Sequence, residues 1–459
     1  MIGFSEGFHD AAIAVVCEGG KICFATHSER YSRIKHDKVL DEAAVNVAKC
    51  FTNDDVVAFY ERPWLKKTRQ LVAGQSHWKK DRVLAMQPTN YHGHHKSHAA
   101  AAFQTSIFDE AACVVIDSIG EWDCSSIWTA KMVEGKAVYK KVWSQWYPKS
   151  IGLWYSALTK WAGLRPLDEE YIFMGMAAFG QPVLLNVVER ALRKNSHRGI
   201  RLGDYNKFDV AKSAERILEL ELLTIFERAS RYSNNICYGG GVALNCVVNT
   251  KLRETYNLWI MPNPGDAGAA LGAALLSYGG KVNFTPYLGY NIQRLCDPRR
   301  AVDILLERGM VGIANGRAEY GPRALGNRSL LADPRKPENK DLVNEIKKRQ
   351  KFRPFAPAVL EEHCQDYFDM PSSSRYMSFV YQCKQKGAIP AVIHVDGSAR
   401  VQTVPEDSVS ILRPILECWY KRTGCPVLLN TSLNVRGEPM VNTLDHANEF
   451  SEKYDVIVL

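Results

Sequence analysis

Short apolar runs broken by polar, glycine-bearing turns dominate the start of the chain. Ile2-Gly3-Phe4, a polar turn from Glu6 to Asp10, the apolar run Ala12 to Val16, the turn Glu18-Gly19-Gly20-Lys21 and the run Ile22 to Ala25 predict a three-stranded meander. A looser copy follows about a hundred residues later in Val114-Val115-Ile116-Asp117, a turn around Gly120, Ser126 to Ala130, Glu134-Gly135-Lys136 and Ala137-Val138-Tyr139. Helical text lies between and after them. His94 to Thr105 is alanine-rich, and Ser213 to Ser230 puts Ala214, Ile217, Leu218, Leu222 and Ile225 on one face. Asn235 to Tyr238 then reads as a short strand entering Gly239-Gly240-Gly241-Val242-Ala243-Leu244-Asn245, and Gly265-Asp266-Ala267-Gly268 opens another helix. Glycines at such points allow a backbone to approach a ligand, and the first amides of a helix remain free for an anion.

The pattern predicts an α/β fold. A three-stranded meander opening each half, with helices between, resembles duplicated actin-like (ASKHA) domains. Gly279 to Arg300, with Gly279-Gly280, Pro286 and Pro298, reads as a linker, so the expected domains are residues 1–290 and 291–459.

Composition narrows this picture only a little. With 459 residues, 46% hydrophobic and 24% charged, the chain is ordinary globular material for about two or three domains. No stretch approaches the roughly 18 uncharged apolar residues of a membrane helix, and Glu6 and Asp10 stand where a signal peptide would be basic and then apolar, so an untargeted intracellular protein is expected. The 12 cysteines include no C-x-x-C pair and read as small core residues of a reducing compartment, neither zinc ligands nor disulfides. A net charge of +8 suits an anionic substrate or nucleic acid, and equally a plain soluble surface.

Two constellations carry candidate chemistry. His94 and His98 are four apart, which on a helix brings both imidazoles to one face; a solvated helix start is the bland alternative. Asp117 ends a predicted strand and Asp266 opens a predicted helix, and two histidines with two carboxylates suit Fe(II), Mn(II) or Zn(II). The second constellation is basic: Arg323 and Arg328 in Gly321-Pro322-Arg323-Ala324-Leu325-Gly326-Asn327-Arg328-Ser329, then Lys347, Lys348, Arg349, Lys351 and Arg353, with no acid between Glu345 and Glu361. Planar guanidiniums grip phosphate oxygens two at a time, and Arg400 with Asn430-Thr431-Ser432-Leu433-Asn434 adds donors; a polar turn closing a strand explains the same letters. No G-x-x-x-x-G-K-[ST] occurs, which excludes a P-loop NTPase.

These strings, with Phe352-Arg353-Pro354-Phe355-Ala356-Pro357 and Arg400-Val401-Gln402-Thr403-Val404, closely resemble the C-terminal half of the NodU/CmcH family of O-carbamoyltransferases. His9-Asp10-Ala11, Glu29 to Asp37, His94 to Ala99, Met174-Gly175-Met176-Ala177, Gly240 to Asn245 and Gly265 to Gly272 match its N-terminal half in family order. The resemblance implies an actin-like transfer domain followed by a YrdC-like domain. The latter would join carbamoyl phosphate to ATP, carried with Mg(II), and release pyrophosphate. The resulting carbamoyl adenylate would then be attacked by an acceptor hydroxyl in the transfer domain. It implies a divalent metal, Fe(II) foremost, held by His94, His98, Asp117 and Asp266, with Gly240, Gly241 and Asn245 flanking the adenylate. Arg323, Arg328, Lys347, Arg349, Arg353, Arg400, Asn430, Thr431, Ser432 and Asn434 would line the carbamoyl phosphate and ATP site. His9 is the candidate base, with Asp10 and Lys35 orienting or binding the acceptor; a plain turn residue is the alternative for His9. Two departures fall in the transfer domain: Ile172 where the family often has lysine, and Ser28 where a glutamate is usual before Glu29.

Family members carbamoylate antibiotics, sugars of nodulation signals and, in phage-type relatives, hydroxymethylated DNA bases. Arg62, Lys66, Lys67, Arg69, Lys79, Lys80 and Arg82, with Trp64 and Trp78 interleaved, suit a nucleic-acid strand, and a solvated surface explains the same residues. The basic stretch, the compact chain and the altered motifs favour 5-hydroxymethylcytosine in DNA as acceptor, with a small sugar, antibiotic or nodulation-type metabolite as the alternative. A non-catalytic nucleic-acid-binding relative is the reading of another class. The expected setting is the cytoplasm of a bacterium or of a phage-infected host cell.

Overall fold

The structure is a computed structural model describing residues 1–52, 54–74, 84–196, 199–350 and 353–459. They form two compact units: Met1–Ser28 with His36–Phe284, and Glu29–Lys35 with Thr285–Leu459. The short segment Glu29–Lys35 therefore belongs with the C-terminal part of the sequence.

The first unit contains the same sheet twice. β1 (Ile2–Ser5), β2 (Ala12–Val16) and β3 (Ile22–His27) form an antiparallel meander, and β4 (Val57–Phe59) and β5 (Asn90–Tyr91) extend it in parallel, in the order β3-β2-β1-β4-β5. β6 (Glu110–Gly120), β7 (Asp123–Val133) and β8 (Lys136–Trp146) form the second meander, extended in parallel by β9 (Asn235–Gly239) and β10 (Asn257–Ile260), in the order β8-β7-β6-β9-β10. Both meanders fall where short apolar runs alternate with glycine turns. The repeated strand order is that of duplicated actin-like domains.

Two helices lie between these sheets. Asp266–Tyr278 packs on β1 and β2, His94–Gln104 packs on β6 and β9, and the two helices pack on each other. Small residues make this possible: a Cβ on Gly272 would overlap the carbonyl of Ser97, and one on Gly3 would overlap that of Ala270. Close packing of this kind fixes the relative height of the helices, and with it the distance from Asp266 to His94 and His98.

Two expectations are corrected. Nine of the 22 residues of the supposed linker Gly279 to Arg300 are regular structure: they form β11 (Tyr287–Ile292) and the start of the helix Pro298–Arg308, where Pro298 occupies the first turn and costs no hydrogen bond. Cys17 and Cys23 are joined by a disulfide, because the β2–β3 hairpin turns between them and brings them together; the other cysteines are free. Ile172 is a buried core residue of the helix Glu170–Met176, and the Ser28 hydroxyl donates to Val39 O and accepts from Asp41 N, closing the loop after β3. No helix of the described residues is long and apolar enough to cross a membrane.

The second unit is built on β12 (Met310–Ala314), β14 (Arg328–Ala332), β20 (Val427–Ser432), β15 (Ala356–Leu360) and β19 (Gln402–Val404), hydrogen-bonded in that order. β13 (Gly316–Glu319) pairs with β11, and β16 (Phe368–Asp369), β17 (Tyr381–Cys383) and β18 (Ser398–Ala399) form a small separate sheet. Val311, Ile313, Leu331, Leu360, Leu416 and Trp419 are part of its buried core. The loop that follows β13 carries the Gly321 motif, and the Asn430 motif runs from the end of β20 into the loop after it.

Candidate active site

In the first unit the ends of three elements converge. The first two turns of the helix His94–Gln104 supply His94 and His98, β6 supplies Asp117 and the first turn of the helix Asp266–Tyr278 supplies Asp266. His94 Nε2 lies 3.2 Å from His98 Nε2, 3.3 Å from Asp117 Oδ2 and 3.4 Å from Asp266 Oδ1; His98 Nε2 lies 3.3 Å from each carboxylate. All four donor atoms fall within 4.8 Å of one another. Metal–nitrogen and metal–oxygen bonds of about 2.0–2.1 Å in a tetrahedral site require ligand-to-ligand edges of about 3.3–3.4 Å, so this donor set fits a divalent ion. Asp266 is buried and Asp117 half-buried, and this desolvation alone would raise their pKa values, yet hydrogen bonds and charge from His94 and His98 hold them below the ordinary range.

The surroundings hold the cluster in place. Glu61 Oε2 stands 3.6 Å from His94 Nδ1 and is paired with Lys66, and Glu121 Oε1 accepts from the backbone nitrogens of Arg62 and His94. Gly240, with φ of +90°, passes so close to Ile116 O that a Cβ would overlap it, and Gly241 follows beside Asp117 Oδ1. Asn245 caps the helix Cys246–Thr255 through Val248 N.

His9 and Asp10 belong to the same unit, with His9 Nδ1 3.0 Å from Asp10 Oδ2. Burial works to lower the His9 pKa, but the hydrogen-bonded Asp10 and the charges of Asp266 and Asp117 outweigh it and raise the value. Asp10 itself is held well below the carboxylate range, burial being outweighed by hydrogen bonds from His36 and His9. Lys35 is placed in the second unit, its ammonium 2.9 Å from both oxygens of Glu29.

The basic stretch of the first unit is not a row of free cations. Arg62 forms a two-point ion pair with Glu121 at 3.0 and 2.7 Å, Lys66 pairs with Glu61 at 2.7 Å, and Arg69 is buried with its guanidinium over the Tyr147 ring. The sequence window around these residues hides the partner of Arg62, because Glu121 lies 59 residues away. Trp64 is half exposed and packs edge-on against Tyr91, and Lys67 is half-buried. Trp78, Lys79, Lys80 and Arg82 lie outside the described residues.

In the second unit the motif cations divide. Arg328 is fully buried and donates to the carbonyls of Asn315, Gly316, Asn327, Tyr290 and Asn442, so it ties strands and loops together and has no donor left for a phosphate. The expectation that it grips phosphate is corrected. Lys347, also buried, donates to Ser432 O, Ser432 Oγ and Asn434 Oδ1 and so shapes the loop Thr431 to Asn434. Arg349 donates to Asn344 Oδ1 and stacks 3.9 Å from the Phe355 ring centroid. Arg323 and Arg353 are half-buried, and Arg400 has a buried Nε with no partner among the described residues. Asn430 donates to Ala324 O and Gln402 Oε1, linking the two motif loops.

Sequence reasoning missed the residues that shape these loops. Buried Glu319 collects the amides of Leu325, Asn327 and Arg328 on one oxygen, and Gly326, with φ of +125°, turns where a Cβ would strike Ser410 and Leu412. From the segment Glu29–Lys35, buried Arg30 donates to Gly321 O, and Arg33 donates to Pro439 O and Met440 O. An acid directly before the Gly321 motif was the one available signal for Glu319.

The fold and site define a two-unit α/β enzyme with a metal-type donor cluster in a duplicated actin-like unit. Family models for the carbamoyltransferase N-terminus match residues 42–202 and 188–275, and that for the carbamoyltransferase C-terminus matches residues 302–459. The chain is 31% identical to the uncharacterized protein sll1178 of Synechocystis sp., over 97% of this chain and 93% of that one. It is 30% identical to nodulation protein NolNO of Sinorhizobium fredii, over 96% of this chain and 76% of that one. The chain belongs to the carbamoyltransferase family, and the reaction it catalyses is carbamoyl transfer. Component A of (R)-2-hydroxyglutaryl-CoA dehydratase from Acidaminococcus fermentans matches 60% of this chain and 96% of its own at 12% identity and a TM-score of 0.34; the actin-like assignment rests on the strand order above.

Proposed function

We propose that the second unit makes carbamoyl adenylate from carbamoyl phosphate and ATP, and that the first unit transfers the carbamoyl group to a hydroxyl of a small, sugar-like acceptor. The observation that carries this reading is the convergence of His94, His98, Asp117 and Asp266 in the unit that also holds the His9–Asp10 pair. In the second unit, water releases inorganic phosphate from carbamoyl phosphate, and the carbamate oxygen displaces pyrophosphate from the α-phosphorus of ATP. Arg323, Arg353 and Arg400 are the motif cations suited to the charge that develops there, on loops shaped by Lys347, Arg328 and Glu319. In the first unit the acceptor hydroxyl attacks the carbonyl carbon of the adenylate, His9 Nε2 takes the hydroxyl proton and AMP leaves. His9 suits that role because Asp10 holds its Nδ1. A divalent metal bound by His94, His98, Asp117 and Asp266 would supply Lewis-acid polarisation of the carbonyl.

A small acceptor is favoured over DNA because Arg62 and Lys66 are engaged by Glu121 and Glu61 and Arg69 is buried. The test incubates the protein with carbamoyl phosphate, Mg-ATP and Fe(II), and offers a panel of sugars and aminoglycosides beside 5-hydroxymethylcytosine-containing DNA. Mass spectrometry then reads the added carbamoyl group. Pyrophosphate release that depends on carbamoyl phosphate, with one modified small molecule, is the expected result. A modified DNA base would overturn the acceptor, and ADP in place of pyrophosphate would overturn the adenylate.

A further inference from the structure

A second array of charged side chains in the first unit runs in a single line from Arg165 to His9. Arg165 lies 2.9 Å from Asp168 Oδ2, Asp168 Oδ1 lies 2.8 Å from His36 Nε2, His36 Nδ1 lies 2.7 Å from Asp10 Oδ1, and Asp10 Oδ2 lies 3.0 Å from His9 Nδ1. Carboxylate oxygens only accept, so both nitrogens of His36 donate and the ring is held as an imidazolium between two carboxylates. By the same logic, neutral His9 carries its proton on Nδ1 and leaves the Nε2 lone pair free. Asp10 is gripped at both oxygens and cannot turn without losing one partner.

The backbone supports the same reading. Asp10 (φ +54°), His36 (φ +55°) and Leu167 (φ +64°), which precedes Asp168, all adopt the left-handed conformation without being glycine. Such strain persists where the surroundings over-determine it, and here it recurs on each of the three segments that bring the line together. The four side chains from His9 to Asp168 are 18–28% exposed, so the line is neither sealed in the core nor a loose surface pair.

We propose that His36 and Asp168 are positioning residues for the transfer step: they clamp Asp10, and Asp10 in turn fixes the tautomer and aim of His9. The proposal rests on His9 being the base of the reaction proposed above. Neither His36 nor Asp168 needs to touch substrate.

The experiment uses the full chain labelled with 15N-histidine, read by NMR, beside steady-state transfer kinetics with the acceptor found in the panel. The His9 and His36 signals are assigned by their loss in His9→Asn and His36→Gln. In the wild type the His9 ring should report a proton on Nδ1, and the His36 ring protons on both nitrogens. In Asp168→Ala, His9 should become a mixture of tautomers, and transfer kcat should fall about 10- to 100-fold while acceptor KM moves by no more than about twofold. Asp168→Asn keeps an oxygen that accepts from His36 and should recover most of the loss. Should Asp168→Ala not fold, His36→Gln reads the same His9 tautomer from the other side of the clamp. An unchanged His9 tautomer in these variants, or a raised acceptor KM with kcat kept, overturns the proposal. A wild-type protein that transfers nothing would instead remove the proposed reaction, and the NMR comparison would still decide whether the clamp exists.

Discussion

The four-donor cluster of the first unit and the cation-rich loops of the second are both dense in charge, but the fold treats them in opposite ways. At the cluster, two imidazoles and two carboxylates face one another across 3.2–3.4 Å, at the spacing of ligands around one centre. In the second unit Arg328 and Lys347 are taken up by the protein's own carbonyls, a hydroxyl and an amide. A charged side chain whose hydrogen-bonding capacity is filled from within is a strut. One whose partners leave a common point open is a candidate ligand. The same letters in a sequence serve both purposes, and only the partners tell them apart.

Asp266→Ala tests the cluster most severely: transfer should fall by about 10³-fold or more, metal content by elemental analysis should drop, and pyrophosphate release should persist. Full metal content in this variant would break the contrast with the second unit.

The two arginines of the Gly321 motif sharpen it from the other side. Arg328→Ala removes a donor from five carbonyls and should cost about 3–5 kcal/mol, read as a lowered denaturation midpoint of the second unit. Arg323→Ala should unfold near the wild-type midpoint yet slow pyrophosphate release about 10²- to 10³-fold.

A smaller effect is expected from Asp10→Asn, which keeps the shape and removes the anion beside His9. The base works when deprotonated, and its pKa is raised above 6.5 in the folded protein, so the acidic limb of the wild-type transfer profile should lie above that value. Losing Asp10 takes away the largest of the contributions that raise it. The limb should move to lower pH, with a rate about 10²-fold down.

Gly272→Ala should be the mildest, at about 1–3 kcal/mol, because the new methyl would push the helix Asp266–Tyr278 away from Ser97. Transfer should suffer more than pyrophosphate release, since the shift separates Asp266 from the histidines. Equal losses in both reactions would show that the helix contact serves general stability alone.

Much of the fold was legible because it is written at short range. The two meanders are alternations of a few apolar residues with glycine turns, and His94 and His98 are adjacent on any helix that contains them. Asp117 and Asp266 could be named as candidates because each stands at a predicted strand end or helix start. The Cys17–Cys23 disulfide lies across a hairpin turn that the pattern does predict, but the missing C-x-x-C spacing concealed it; harder to see was the strand Tyr287–Ile292, which pairs with residues 316–319 and sits in a stretch that reads as a linker. The segment Glu29–Lys35 gave no sign that it would pack with residues near 321 and 440.

The amino-acid sequence by itself determined the α/β alternation, the repeated meander, the kinds of donor at the cluster and the family. Tertiary structure alone decided which charges are engaged: His36 meets Asp168 across 132 positions, Arg328 meets Asn442 across 114, and Arg62 meets Glu121 across 59. Periodicity and turn chemistry act between neighbours, so they survive in a linear reading. A hydrogen bond between distant segments exists only after packing has set both ends to within a few tenths of an ångström, and that information belongs to the folded chain as a whole.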